Sequence, residues 1–85
     1  MTLQELLDRS QDRLEAAGLV YGHGTTNARD EAAWLVLWSL GLPLDSDLDA
    51  IGSQVLQTAQ VGEAEALIGR RIQTRQPAAY LTHEA

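Results

Sequence analysis

Three features of the sequence predict an all-α fold, a small four- to five-helix bundle. Apolar residues recur at helical spacing in four segments. Each segment is flanked by capping or breaking residues of the kind that open and close helices. No stretch alternates convincingly with period two, except that Ala79-Tyr80-Leu81-Thr82 could open a strand.

The first helix begins at Thr2, whose hydroxyl can accept from the amide of Glu5 while Glu5 reaches back, forming a capping box. Leu3, Leu6, Leu7, Leu14 and Ala17 then form one apolar stripe, and Glu5 stands four residues before Arg9, a favourable pairing distance. Gly18 supplies a left-handed stop. Leu19 to Thr26 reads as a loop, because two glycines around His23 favour irregular backbone.

Asn27 caps the second helix, with Asp30 and Glu31 suited to the positive end of its dipole. From Ala32 to Leu40 this helix is apolar almost all round, which predicts a buried centre with Trp34 and Trp38 in the core. Gly41 and Pro43 end it. A third helix is expected from Asp45 or Ser46, with Leu48, Ile51 and Val55 on one face, short because Gly52 interrupts it. The fourth runs from about Ala59 to Gln76. Val61, Ala64, Leu67, Ile68 and Ile72 form its stripe, and Arg70, Arg71 and Arg75 sit where the negative dipole end favours cations. Pro77 closes it.

Eighty-five residues suffice for one small domain, which buries only about 60% of the surface of its unfolded chain. Without cysteine there is neither a disulfide framework nor a thiolate metal site. His23 and His83 lie sixty positions apart and match no ligand spacing, so no metal is expected. The longest apolar stretch, Ala32 to Leu42, falls well short of the roughly 20 residues of a membrane span. Acidic residues at Glu5 and Asp8 exclude a signal or transit peptide reading. The expectation is a soluble cytoplasmic protein.

Twelve carboxylates stand against six cations, all arginine, for a net charge of −6. That balance argues against nucleic acid, whose phosphates require a basic patch. It is compatible with a basic protein partner, and equally with acidity for solubility alone. Asp8 with Asp12, and Glu63 with Glu65, read as solvated faces rather than as an acid and a base. Neither a phosphate-cradling glycine loop nor a nucleophile elbow is present. The expected catalytic, cofactor-binding and metal sets are therefore empty. Leu44-Asp45-Ser46-Asp47-Leu48 faintly resembles the prosthetic-group site of an acyl carrier protein, but Pro43 replaces the expected glycine region and Asp47 separates the serine from the apolar residue. Ser46 as a helix N-cap accounts for the same residues.

Two stretches resemble a known family. Tyr21-Gly22-His23-Gly24-Thr25-Thr26-Asn27-Ala28-Arg29-Asp30-Glu31-Ala32, with Leu40-Gly41-Leu42-Pro43-Leu44-Asp45 after it, resembles the N-terminal domain in the PrmB branch of the HemK/PrmC/PrmB protein-(glutamine-N5) methyltransferases. Arg70-Arg71-Ile72 through Arg75-Gln76-Pro77-Ala78-Ala79-Tyr80-Leu81-Thr82 resembles the end of this domain across the wider family. His83 stands where the release-factor branch, PrmC/HemK, often has glycine, and Ser46 to Gln60 matches nothing in the family pattern.

The resemblance implies a helical domain over 1–78 that recognises a protein substrate. It implies that 79–85 begin a β-hairpin linker to a further domain, which would bind S-adenosylmethionine and carry the catalytic Asn-Pro-Pro-Tyr motif. This sequence holds no Asn-Pro pair, so no catalytic or cofactor residue carries over. The implied partners are large-subunit ribosomal protein L-three, a basic substrate, and the chain's own catalytic domain. Tyr21, His23, Asn27, Asp30 and Glu31 are the candidate residues for contact with one or the other. The competing readings are the release-factor branch, a stand-alone helical interaction or dimerisation module, and the carrier protein.

Overall fold

The register of α1, Leu3–Ala16, is set before its first turn. The capping box forms as expected: Thr2 Oγ1 accepts from the amide of Glu5, and Glu5 Oε1 accepts from the amide of Thr2. The first amides of any helix lack intrahelical acceptors. Here the amides of Leu3 and Gln4 donate to the carbonyls of Gln54 and Gly52, each at 2.9 Å. The amide of Leu56 donates back to Met1, and Thr2 and Val55 pair as a single antiparallel bridge. The helix start is thereby tied to a segment some fifty residues later.

The computed structural model describes residues 1–21 and 27–82. Its helices after α1 are α2 Ala28–Ser39, α3 Leu48–Ile51, α4 Thr58–Thr74 and α5 Ala78–Thr82. Helix α2 is the hub, packed against α1, α4 and α5. One apolar cluster joins Leu14, Leu19, Ala32, Leu35, Leu67, Ile68 and Ala78, and a second joins Leu3, Leu6, Leu7, Val36, Leu56 and Ala64. Successive α2 residues, Leu35 and Val36, feed different clusters, which is why this helix is apolar nearly all round. Each fully buried leucine contributes about 1.5–3 kcal/mol by leaving water. Gly18 and Gly41 take the left-handed conformation at φ 64° and 73° that ends α1 and α2.

Several expectations are corrected. Trp38 is 39% exposed rather than core, and Trp34 is half-buried, its indole N–H donating to Thr82 Oγ1 at 3.1 Å. Helix α3 is a single turn capped by Asp47, not by Ser46, whose hydroxyl donates to the Pro43 carbonyl. Val55 lies outside α3 and is 74% exposed. The chain is extended there to present carbonyls to α1, and Leu56 takes the inward position. Arg9 pairs with Glu65 at 3.0 Å instead of with Glu5, whose carboxylate is engaged in the capping box.

The strand expected at Ala79–Thr82 is helix α5. The Pro77 carbonyl accepts from the amides of Tyr80 and Leu81, opening a helical turn. Ala78 and Thr82, four apart, then bury one face against α2 while Tyr80 points outward. Packing outweighs the strand preference of Tyr80 and Thr82. The helical unit therefore runs through Thr82, and residues 83–85, including His83, lie outside the described residues.

Candidate functional site

Two charged residues fall on apolar stripes. Arg71 follows Ala64, Leu67 and Ile68 on the buried face of α4, and Glu31 sits between Ala28 and Ala32 on that of α2. An isolated charge in either place would be costly, because burial strips its hydration. The fold answers by bringing them together: Arg71 Nε donates to Glu31 Oε2 at 2.7 Å, and both side chains are 2% exposed. Arg71 also donates through Nη2 to the carbonyl of Val20 at 3.0 Å, and its guanidinium carbon stands 6.0 Å from the centroid of the Tyr21 ring.

This pair fixes the outgoing end of the Tyr21–Asn27 segment. Tyr21 packs on the first apolar cluster, and its hydroxyl is buried with no hydrogen-bond partner among the described residues. Burial first, and the nearby Glu31 carboxylate second, push the phenol above its ordinary range, against the opposing pull of Arg71. At the far end, Asn27 caps α2 as expected. Its Oδ1 accepts from the amide of Asp30 at 2.8 Å, and its Nδ2 donates to Asp30 Oδ2 at 3.2 Å. His23, with the rest of residues 22–26, lies outside the described residues.

Of the five residues singled out from the sequence, Tyr21 and Glu31 thus converge on Arg71, while Asn27 and Asp30 form the exposed helix start. Glu31 faces inward and serves as an anchor, not as a surface contact. By charge alone, Arg71 is one of three cations near the end of a helix. The available signal was its position on an apolar stripe, matched by an acid on the stripe of another helix.

Beside Asp30 a shallow groove of about 310 Å³ runs between α2 and the Leu44–Leu48 turn. A second, of about 290 Å³, lies between α2 and α4 beside Trp38 and Arg70. The arrangement can hold and present; among the described residues it contains no nucleophile with an adjacent base. Among the described residues no three His, Cys, Asp or Glu side chains gather to hold a metal. No helix among them is long and apolar enough to cross a membrane.

Comparison with known proteins gives one consistent result. Over 84 residues, 99% of its length, the chain is 45% identical to the ribosomal protein uL3 glutamine methyltransferase of Neisseria meningitidis serogroup B. It is 43% identical to the protein of the same name from Burkholderia pseudomallei and 44% identical to that from Bordetella pertussis, again over 99% of the chain. The chain spans only 27–28% of the length of these relatives. The resemblance read from the Tyr21–Ala32 and Arg70–Thr82 stretches is borne out by these homologues. No family model matches the chain. No solved structure matches it.

Proposed function

We infer that this chain, homologous along nearly its whole length to a segment of the uL3 glutamine methyltransferases, is the protein-substrate-recognition domain of such an enzyme. The observation that carries this reading is the 45% identity over 99% of the chain, confined to 27% of the relative's length. A helical unit with its own core suits a docking role. The acidic balance, −6 overall, suits a basic ribosomal protein as the docked partner. The relatives' shared name favours uL3 over a release factor as substrate. A ribosomal-protein substrate would place the work in the cytoplasm.

S-adenosylmethionine is the methyl donor the family implies. The described residues do not fit it: they include no strand leading into a glycine-rich turn, and both grooves are shallow and open. We assign the cofactor and the methyl transfer to the remainder of the enzyme and derive no step through it here. What this chain supplies is position. Holding the substrate protein beside the reacting centre raises its effective concentration there and removes part of the entropic barrier to encounter. The start of α2, with Asn27 and Asp30, and Tyr21, against which Arg71 packs in its pair with Glu31, offer the surface for contact with the substrate or the catalytic domain, and His23 lies between them in the chain.

The test is competition in trans. The isolated chain, added in excess to a methylation assay of the full Neisseria relative with uL3 as acceptor, is expected to raise the apparent KM for uL3. The KM for S-adenosylmethionine should not move. Absence of any inhibition at high excess would overturn the reading. Repeating the assay with a release factor as acceptor separates the two branches of the family.

A further inference from the structure

Charge is distributed unevenly along this chain. All six cations lie either between Arg9 and Arg29 or between Arg70 and Arg75. From Asp30 to Gly69 there are seven carboxylates (Asp30, Glu31, Asp45, Asp47, Asp49, Glu63 and Glu65) and no lysine or arginine. Asp30, Asp45, Asp47 and Asp49 are all exposed.

The larger groove lies within this cation-free region. Its lining includes Asp30, Trp34, Leu37, Leu44, Ser46 and Leu48. Asp30, Trp34 and Leu37 share one face of α2, being four and three residues apart. Leu44 is 41% exposed at the lip, and Asp45 and Asp47 flank Ser46 in the same turn. Asp30 is the carboxylate within this largely apolar lining, and Asp45 and Asp47 are exposed on either side of Ser46 in the chain. The smaller groove differs, because Glu63 and Arg70 both line it and their charges offset each other.

We propose that the groove between α2 and the Leu44–Leu48 turn seats a lysine- or arginine-bearing segment of the protein substrate. This rests on the recognition reading above and specifies where on the chain the substrate docks. An apolar side chain of that segment sits against Trp34 and Leu44, and its flanking cations face Asp30, Asp45 and Asp47. The buried apolar contact holds the complex together. The exposed carboxylates steer encounter and select for basic sequence, an effect weakened by salt. The same sign of charge excludes a nucleic-acid backbone. It also disfavours a second copy of this chain, which would set carboxylate against carboxylate.

The chain has two tryptophans, one lining each groove, so they report separately. The experiment is a fluorine NMR titration of the 5-fluorotryptophan-labelled chain with purified uL3. The Trp34 signal is expected to shift while that of Trp38 stays in place. The variant carrying Leu44→Glu and Asp45→Lys, two exposed positions, should melt as the parent does and bind uL3 about tenfold more weakly or worse. If uL3 binds but Trp34 does not move and the variant binds undiminished, the groove is overturned and the recognition reading survives. If uL3 does not bind at all, the recognition reading fails, and the groove loses its occupant with it.

Discussion

Arg71 on α4 donates to Glu31 on α2 across 2.7 Å, the two side chains buried against each other and joined to the loop through the carbonyl of Val20. Truncating Arg71 takes this charge-assisted bond away from a carboxylate held inside the core. Arg71→Ala should therefore cost about 3–5 kcal/mol of stability, read from chemical denaturation. Replacing both with apolar residues of similar volume, Arg71→Met with Glu31→Leu, should recover most of that loss. The double variant still lacks the bond to Val20, so amide exchange around Val20 and Tyr21 should quicken even where global stability is restored. A double variant as unstable as the single one would show that the pair is not the source of the loss.

Tyr21 carries a buried hydroxyl without a partner among the described residues. An unsatisfied buried polar group costs roughly 1–3 kcal/mol, so Tyr21→Phe should leave stability unchanged or raise it. The phenol is pushed above its ordinary range in the folded chain. A raised acid of this kind favours the folded state below its unfolded pKa, and that contribution is lost as pH rises through the folded value. The parent should accordingly lose stability above about pH 10 more steeply than Tyr21→Phe, measured by urea titrations across alkaline pH.

Gly52 lies where a side chain has no room. A Cβ there would stand 2.8 Å from the Leu48 carbonyl oxygen and 3.2 Å from Gln4 Oε1. The first neighbour is backbone and cannot easily move aside. Gly52→Ala, which would favour a helix on propensity alone, should instead destabilise by about 1–2 kcal/mol. It should also loosen the amides of Leu3 and Gln4, seen as faster hydrogen exchange at those two positions. Stabilisation by this substitution would contradict the close approach of the two segments.

The capping box at Thr2 makes the start of α1 sensitive to acid. The amide and hydroxyl of Thr2 hold the Glu5 carboxyl below its ordinary range. Its contribution is present at neutral pH and lost as pH falls through that lowered value. Circular dichroism on acidification should show a loss of helicity that Glu5→Gln lacks, because the amide cannot titrate. Thr2→Ala should cost about 1 kcal/mol at neutral pH.

Features set by short sequence separations were legible in the chain. Thr2 with Glu5, Asn27 with Asp30, and the glycines at 18 and 41 each act within a few residues, so their geometry follows from spacing alone. Long-range partnerships were not. The apolar stripe places Arg71 on the buried face of α4 but does not name its partner: Arg71 is 1% exposed while Arg70 lies on the surface, and the acid that Arg71 meets is forty residues away on α2. Val55 departs from the expected α3 face for the same reason: the extended backbone there answers to the amides of α1. Helix α5 forms where a strand is expected because Ala78 and Thr82 gain more from packing on α2 than their neighbours lose from strand preference. Of the candidate site, the capping residue Asn27 is visible in the sequence, whereas the buried anchor and the groove require the fold.

The decisive measurement is calorimetric titration of the isolated chain with purified uL3 at low and at physiological salt. Recognition by an acidic docking domain predicts saturable binding at one-to-one stoichiometry, tighter at low salt, with a release factor binding markedly more weakly. No heat and no saturation with uL3 at either salt concentration, with the chain verified as folded, would contradict it.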